Sequence, residues 1–307
     1  MDFIYFVQLM ILQNYNYVYM AEKQYLDLIK NIIDNGDIEK GRNGETIVLF
    51  GTNMRFSLKN NTIPFLTTKK LAWKTCLKEL LWFISGKTDN KILKEQKVGI
   101  WNANGSREFL DSRNLNYPED DLGPVYGHQW RFFNAEYKGC NETYENMGVD
   151  QLQNVIDLLK NPEERHSRRI ILSAWNPCQI DEMALPPCHV LMQFNVNNNN
   201  ELSCILYQRS GDVGLGVPFN IASYSLLTHL LAHHCDLKVK EFIHFIGNTH
   251  IYKDHIEPLK IQITREPYNF PTLEIKNKYD NINDYKFDDF VINNYISHDK
   301  ISMNMSA

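Results

Sequence analysis

A cysteine set between two prolines and a histidine, in Ala184-Leu185-Pro186-Pro187-Cys188-His189, is the first place in this chain where chemistry could be done. Proline fixes φ and cannot donate to a strand ladder. Pro186-Pro187 therefore reads as a stiff lead-in to the apolar run over residues 190–194. A thiol held that way suits a positioned nucleophile, because the thiolate is the reactive form and attack depends on geometry. Taken alone, the hexapeptide also fits a small buried core residue. Other groups could act with it. Glu79 lies in an apolar stretch, where burial would raise its pKa and make it an acid or base; on an exposed helix face it would be an ordinary carboxylate. Arg42 stands within Gly41-Arg42-Asn43-Gly44, Arg168-Arg169 precede an apolar run, and Arg209-Ser210 end another before a glycine-rich turn. Guanidinium groups beside glycine can clamp a phosphate, since glycine lets the backbone approach an anion. His229, His233 and His234 could place imidazoles a turn apart. With no HExxH pattern or nearby acidic ligand, they read as ordinary helix histidines.

These groups need elements to hold them. Tyr25, Leu28, Ile29, Ile32 and Ile33 share a helix face, and Asn35-Gly36-Asp37 is a turn before a strand over residues 46–51. Thr67 or Thr68 is the expected cap of a helix carrying Trp73, Cys76, Leu77, Glu79, Leu80, Phe83 and Ile84, which Gly86 ends. Residues 100–106 and 121–131 read as aromatic, glycine-containing turns that line a pocket for a flat ligand or simply pack. Residues 151–159 are expected to be helical, 170–175 a buried strand, 202–207 a strand and 221–231 a helix. His250-Ile251-Tyr252 alternates in strand fashion, which puts both polar side chains on one face.

Length and charge narrow the class. The 307 residues allow one large domain or two ordinary ones, with 43% hydrophobic and 22% charged residues. A net charge of −5 argues against general nucleic-acid binding but leaves room for a basic phosphate pocket. Six cysteines without a CxxC pair suggest reduced thiols in a reducing, cytoplasmic compartment. The apolar stretch at the start lacks the basic flank of a signal peptide and is too interrupted to span a bilayer. Residues 1–20 are expected to be an extension outside the fold, with one domain over 21–307.

In order along the chain, these pieces resemble thymidylate synthase. The resemblance rests on Arg42, on Trp82 with its helix, on Trp101-Asn102-Ala103-Asn104-Gly105-Ser106-Arg107, on Leu122-Gly123-Pro124-Val125-Tyr126-Gly127 and on Arg168-Arg169. It continues through Pro186-Pro187-Cys188-His189, Tyr207-Gln208-Arg209-Ser210-Gly211-Asp212, residues 214–224 and His250-Ile251-Tyr252. Long motifs in the right order are far more specific than any one of them.

The resemblance implies an α/β (α+β) fold with a large mixed sheet flanked by helices, and a homodimer formed sheet against sheet. It implies reductive methylation of dUMP to dTMP, with 5,10-methylenetetrahydrofolate as co-substrate and no metal or nicotinamide. Cys188 would attack uracil C6. Arg209 would favour the thiolate and, with Arg42 and Ser210, bind phosphate, joined by Arg168 and Arg169 from the partner. Asn220 would hold the uracil edge, His250 and Tyr252 the sugar hydroxyl, and His189, Gln208 and Asp212 would also belong to the dUMP site. Glu79 would organise proton transfer and Tyr126 assist loss of the C5 proton. Lys69, Ile100, Trp101, Asn104, Asp212, Leu215, Gly216, Phe219 and the terminal Ala307 would form the folate pocket and its closure. Neither a membrane nor an obligatory nucleic acid is expected as partner. Asn102 and Asn248 stand where the family commonly has Asp, and Ala307 where it commonly has Val. A dCMP hydroxymethylase of the same fold is the near alternative, and an RNA-binding or structural homologue with an inactive pocket the distant one. An Asp would be expected at position 220 for cytosine, so Asn220 favours dUMP.

Overall fold

The structure is a computed structural model, and it describes residues 22–41 and 44–305. The expected extension over residues 1–20, Arg42 and Ala307 therefore lie outside the described residues. Helix α1 (Lys23–Asn35) buries Tyr25, Leu26, Leu28, Ile29 and Ile32 along one stripe, as its spacing requires. Gly36 follows it. A Cβ there would sit 2.6 Å from the Ile47 side chain and 2.7 Å from the Ile32 carbonyl, so the tight turn into the sheet needs glycine.

The expected mixed sheet is present. Its strands are β1 (Asp37–Gly41), β2 (Gly44–Ser57), β3 (Ile171–Ser173), β4 (His189–Val196), β5 (Glu201–Asp212) and β6 (Lys238–Tyr252), in the order β1-β2-β6-β5-β4-β3. Only β5 and β6 run parallel. A parallel pair needs a long crossover. The chain supplies one after introducing α2 (Trp73–Ile84), α3 (Lys91–Glu95), α4 (Arg107–Ser112), α5 (Tyr126–Phe132) and α6 (Gln151–Lys160): the crossover is α7 (Gly216–His234). This helix is buried on nearly every side, which its almost continuous apolar sequence allows. A short helix α8 (Ile256–Gln262) and a hairpin of β7 (Thr272–Ile275) with β8 (Phe290–Asn293) complete the described chain.

Four local expectations change. Thr67 and Thr68 do not cap α2, which starts at Trp73 with no side-chain cap. Their N–H and hydroxyl groups all donate to the carboxylate of Glu22, a 1%-exposed residue, at distances up to 2.9 Å. A buried carboxylate must be satisfied, and two consecutive threonines offer four donors. Only Ile171–Ser173 of the run at 170–175 is a strand, and it lies at the sheet edge with Ile171 exposed. The crossover helix starts at Gly216, five residues before its expected start. Residues 126–131 belong to α5, so Tyr126 sits in a first helical turn instead of a loop. Gly86 does stop α2, at φ 72°.

The three α7 histidines face different partners. His229 reaches the Thr62 carbonyl, His233 the Asn277 carbonyl and His234 the Tyr285 hydroxyl. Among the described residues, no three His, Cys, Asp or Glu side chains gather as metal ligands do, and no helix is long and apolar enough to cross a membrane.

Candidate active site

Cys188 lies immediately before β4, at the end of the proline lead-in. A register shift between His189 and Leu191 kinks the strand just beyond it. The two prolines do a second job. Their carbonyls accept from the Arg209 guanidinium, Nε to Pro187 at 2.8 Å and Nη2 to Pro186 at 2.9 Å, while the Arg209 amide donates to the Cys188 carbonyl at 2.9 Å. The guanidinium also lies over the Trp175 ring, 5.7 Å from its centre. Arg209 is thus fixed beside the thiol by backbone that cannot bend. Its charge pulls the Cys188 pKa down, as expected, but burial pushes it up by more. In this state the thiol is therefore not converted to thiolate by Arg209 alone.

Tyr126 closes the other side. Its hydroxyl oxygen accepts from the Cys188 amide at 2.8 Å and the His189 amide at 3.4 Å. Burial raises its pKa far out of the neutral range, so it keeps its proton and can donate it in a hydrogen bond. Its ring stands 4.7 Å from Phe83 and 6.2 Å from Trp101. Trp101 donates through Nε1 to Glu79 Oε1 at 2.7 Å. Glu79 is 6% exposed on α2. Burial raises its pKa from 4.5 to about 7, against the smaller downward pull of the indole. The apolar setting read from the sequence thus gives a carboxyl able to hold or release a proton near neutrality.

A one-way hydrogen-bond chain fixes the polar edge of the site. His244 Nε2 donates to Gln208 Oε1 at 2.8 Å, Gln208 Nε2 donates to Asn220 Oδ1 at 2.9 Å, and Asn220 Nδ2 donates to His189 Nε2 at 2.7 Å. Gln208 Nε2 also donates to the Ser210 carbonyl at 2.8 Å. That carbonyl can only accept, so the direction of the whole chain is set by backbone. Asn220 keeps one further donor and one further acceptor for a ligand. Burial lowers the His189 pKa to about 3, consistent with a neutral ring whose Nε2 accepts. His244, buried on β6, was not singled out from the sequence; its even spacing from His250 along the strand was the available signal.

The remaining candidate residues lie on β5 and β6, on the turns before α2, α4 and α7, and at the sheet edge. His250 and Tyr252 do share a face of β6, with ring centres 5.2 Å apart, and His250 Nδ1 bonds Asn248 Oδ1 at 2.9 Å. An amide at 248 therefore keeps the oxygen that this histidine needs. Asp212 Oδ1 accepts from the Gly214 amide at 2.8 Å, and Lys69 Nζ donates to the Gly214 carbonyl at 2.5 Å. Burial lowers the Lys69 pKa to about 8. Leu215, Gly216 and Phe219 follow at the start of α7, while Ile100, Trp101 and Asn104 come from the turn before α4. Ser210 lies next to Arg209 near the end of β5. Arg168 and Arg169 are exposed just before β3, two strands from Arg209 at the sheet edge.

Comparison with known proteins gives this arrangement its family. The family model described as thymidylate synthase matches residues 23–307. The chain belongs to the thymidylate synthase family. It is 54% identical to the human thymidylate synthase over 290 residues, covering 94% of this chain and 91% of that one. It is 52% identical to the Saccharomyces cerevisiae thymidylate synthase over 298 residues, covering 93% and 97%. A bifunctional dihydrofolate reductase-thymidylate synthase from Plasmodium berghei is 53% identical over 288 residues, 93% of this chain, and the chain spans about half (48%) of its length. The residues gathered around Cys188, among them Glu79, Tyr126, His189, Gln208, Arg209 and Asn220, all lie within the matched span.

Proposed function

We propose that this chain methylates dUMP to dTMP, using 5,10-methylenetetrahydrofolate and leaving dihydrofolate. The observation that carries the reading is Cys188 fixed between the Arg209 guanidinium and the Tyr126 hydroxyl, with Glu79 part of the same aromatic cage. Uracil C6 is a poor electrophile and calls for a soft nucleophile. Cys188 adds to C6 and makes C5 nucleophilic. The Arg209 guanidinium favours the thiolate as the thiol proton leaves to solvent, and it also contacts the bound phosphate. Ser210, Arg42 and the partner's copies of Arg168 and Arg169 complete the phosphate site in this reading. Asn220 donates to uracil O4 and accepts from N3–H, and His250 and Tyr252 take the sugar hydroxyl. Tyr126 assists departure of the C5 proton, and Glu79 holds or passes protons on the O4 side. The folate, when bound, supplies the one-carbon unit and the hydride. A buried carboxyl with a pKa near neutrality, an indole and the Asp212 carboxylate fit a flat heterocycle rich in donors and acceptors. Lys69 would meet its glutamate end and Ala307 would help close over it. A reducing, cytoplasmic setting goes with this reading and with the free state of all six cysteines.

Purified protein given dUMP and methylenetetrahydrofolate should produce dihydrofolate, followed spectrophotometrically. No dihydrofolate, and no covalent Cys188 adduct with a fluorinated dUMP analogue, would support the inactive-pocket alternative. For the choice of base, Asn220→Asp should raise turnover of dCMP relative to dUMP by roughly 100-fold, since a site built to pair one edge rejects the other. Unchanged selectivity in that variant contradicts the assigned uracil contact.

The same reading includes a homodimer. The sheet face away from α7 exposes Phe50 (83%), Tyr207 and Phe245, and a shallow groove runs between them. Tyr207 and Phe245 are direct cross-strand neighbours, so the apolar surface is continuous. Patches of this kind are usually covered, and a second copy would bring its Arg168 and Arg169 across. Phe50→Asp should convert the sedimenting species from dimer to monomer and lower activity with it. A wild-type chain that sediments as a monomer removes this part of the proposal.

A further inference from the structure

His255 is a fully buried histidine that none of the chemistry above uses. It follows β6 and packs its ring edge-on against Tyr252, 5.5 Å between centres. Both of its nitrogens face acceptors. Nε2 lies 2.7 Å from the carbonyl of Asn304, and Nδ1 lies 3.4 Å from Asp212 Oδ1. A neutral imidazole has one N–H and one bare lone pair, so it would turn a lone pair on one of these oxygens. The imidazolium can donate to the Asn304 carbonyl while its charge faces the Asp212 carboxylate 3.4 Å away, although Nδ1 itself makes no hydrogen bond. The surroundings favour the charged ring despite its burial. Asp212 and the Asn304 carbonyl act in that direction, followed by Asp254, and they raise its pKa. His250 from β6 and Lys69, which faces Asp212 from the turn before α2, are the opposing groups nearby.

The C-terminal segment is held at the same spot by two more contacts. Asn304 Nδ2 donates to Asp254 Oδ2 at 3.3 Å. Met303 and the His255 ring both press on Gly214: a Cβ at 214 would lie 2.6 Å from Nδ1 and 3.0 Å from the Met303 sulfur. Gly214 is also the residue whose amide binds Asp212 and whose carbonyl binds Lys69. One glycine turn thus joins the last described residues of the chain to two groups assigned to the folate pocket.

We propose that His255 is a positioning residue, whose imidazolium bridges Asp212 and the Asn304 carbonyl and fastens the C-terminal segment to the edge of the ligand site. The link to folate rests on the function proposed above; the fastening itself does not. A histidine with a raised folded pKa contributes its full effect below its unfolded pKa and loses it as pH rises through the folded value. While Asp212 is ionised, the segment is therefore fastened below the raised His255 pKa and released as pH rises through it.

Carboxypeptidase digestion of the ligand-free full chain, read by mass spectrometry, tests this without any enzymatic turnover. Removal of Asn304 and Met303, normalised to a free peptide of residues 299–307, should speed up by roughly tenfold from the fastened to the released state, as local opening becomes cheaper. His255→Phe should be trimmed fast at every pH. Asp212→Asn, which keeps the histidine but removes its carboxylate, should move the wild-type transition to lower pH. Trimming that does not change with pH in the wild type, or a transition that Asp212→Asn leaves in place, overturns the proposal. If His255→Phe does not fold, the Asp212→Asn result still decides it. Dihydrofolate production is measured separately, so a missing activity and a missing fastening are told apart.

Discussion

Cys188→Ser is expected to lower dTMP formation by at least about 10⁴-fold, the scale on which removal of a catalytic nucleophile acts. A serine hydroxyl is similar in size, so the site need not rearrange, but it is a far weaker acid than a thiol and adds poorly to a conjugated carbon. The Arg209 guanidinium is anchored on the carbonyls of Pro186 and Pro187, not on the sulfur. Tyr126 is anchored on the Cys188 backbone amide. Both anchors survive the substitution, as does the chain from His244 to Asn220. Equilibrium binding of dUMP should therefore remain within a few-fold of wild type while turnover disappears. Turnover close to wild type would mean that no bond forms between residue 188 and the pyrimidine. Loss of dUMP binding along with turnover would mean that the cysteine shapes the pocket instead of reacting in it.

The sequence made some of this legible and hid the rest for identifiable reasons. The α1 stripe, the Gly86 stop, the alternation of His250 and Tyr252 and the apolar setting of Glu79 all depend on residues close together in the chain, and each is found in the structure. What failed depended on distant partners. Thr67 and Thr68 look like helix caps because nothing local reveals that Glu22, 45 and 46 residues earlier, takes their donors. The run at 170–175 buries Ile170, Leu172 and Ala174 on one face, yet its regular register with β4 covers only residues 171–173, and position at the sheet edge leaves Ile171 exposed. Tyr126 sits behind Gly123 and Pro124, which hide the helix that starts right after them. Among the site groups, Cys188, Arg209, Gln208 and Asn220 were found as motif members. Their connection was not, because Gln208 and Asn220 meet only when β5 packs on α7, and the chain they form starts at His244, a residue with no motif of its own. The effect of Arg209 on the thiol was right in direction and wrong in weight, since burial is a property of the packed chain and outweighs one guanidinium.

Burial also dictates what Glu79→Gln should do. Glutamine keeps the shape and can accept from Trp101 Nε1, but it cannot exchange a proton at any pH. Loss of a general acid or base at this position should lower kcat by roughly 10²- to 10⁴-fold. The limb of the pH-rate profile near 7, where Glu79 titrates, should vanish with it. Stability gives an independent reading of the same group. Its pKa rises from 4.5 to about 7 on folding, so the folded chain binds the extra proton between those values. Stability is then greatest below 4.5, as far as this residue is concerned. It falls by roughly 3 kcal/mol as pH climbs to 7, and stays level above. The glutamine variant carries no such loss, so its stability relative to wild type should improve between pH 5 and pH 8 in denaturant titrations, while its catalysis stays low. A variant whose pH-rate limb persists, or whose stability tracks wild type across that range, would place the titrating carboxyl somewhere other than Glu79. Improved stability with unchanged catalysis would leave the buried carboxyl intact as a physical fact and take away its part in proton transfer.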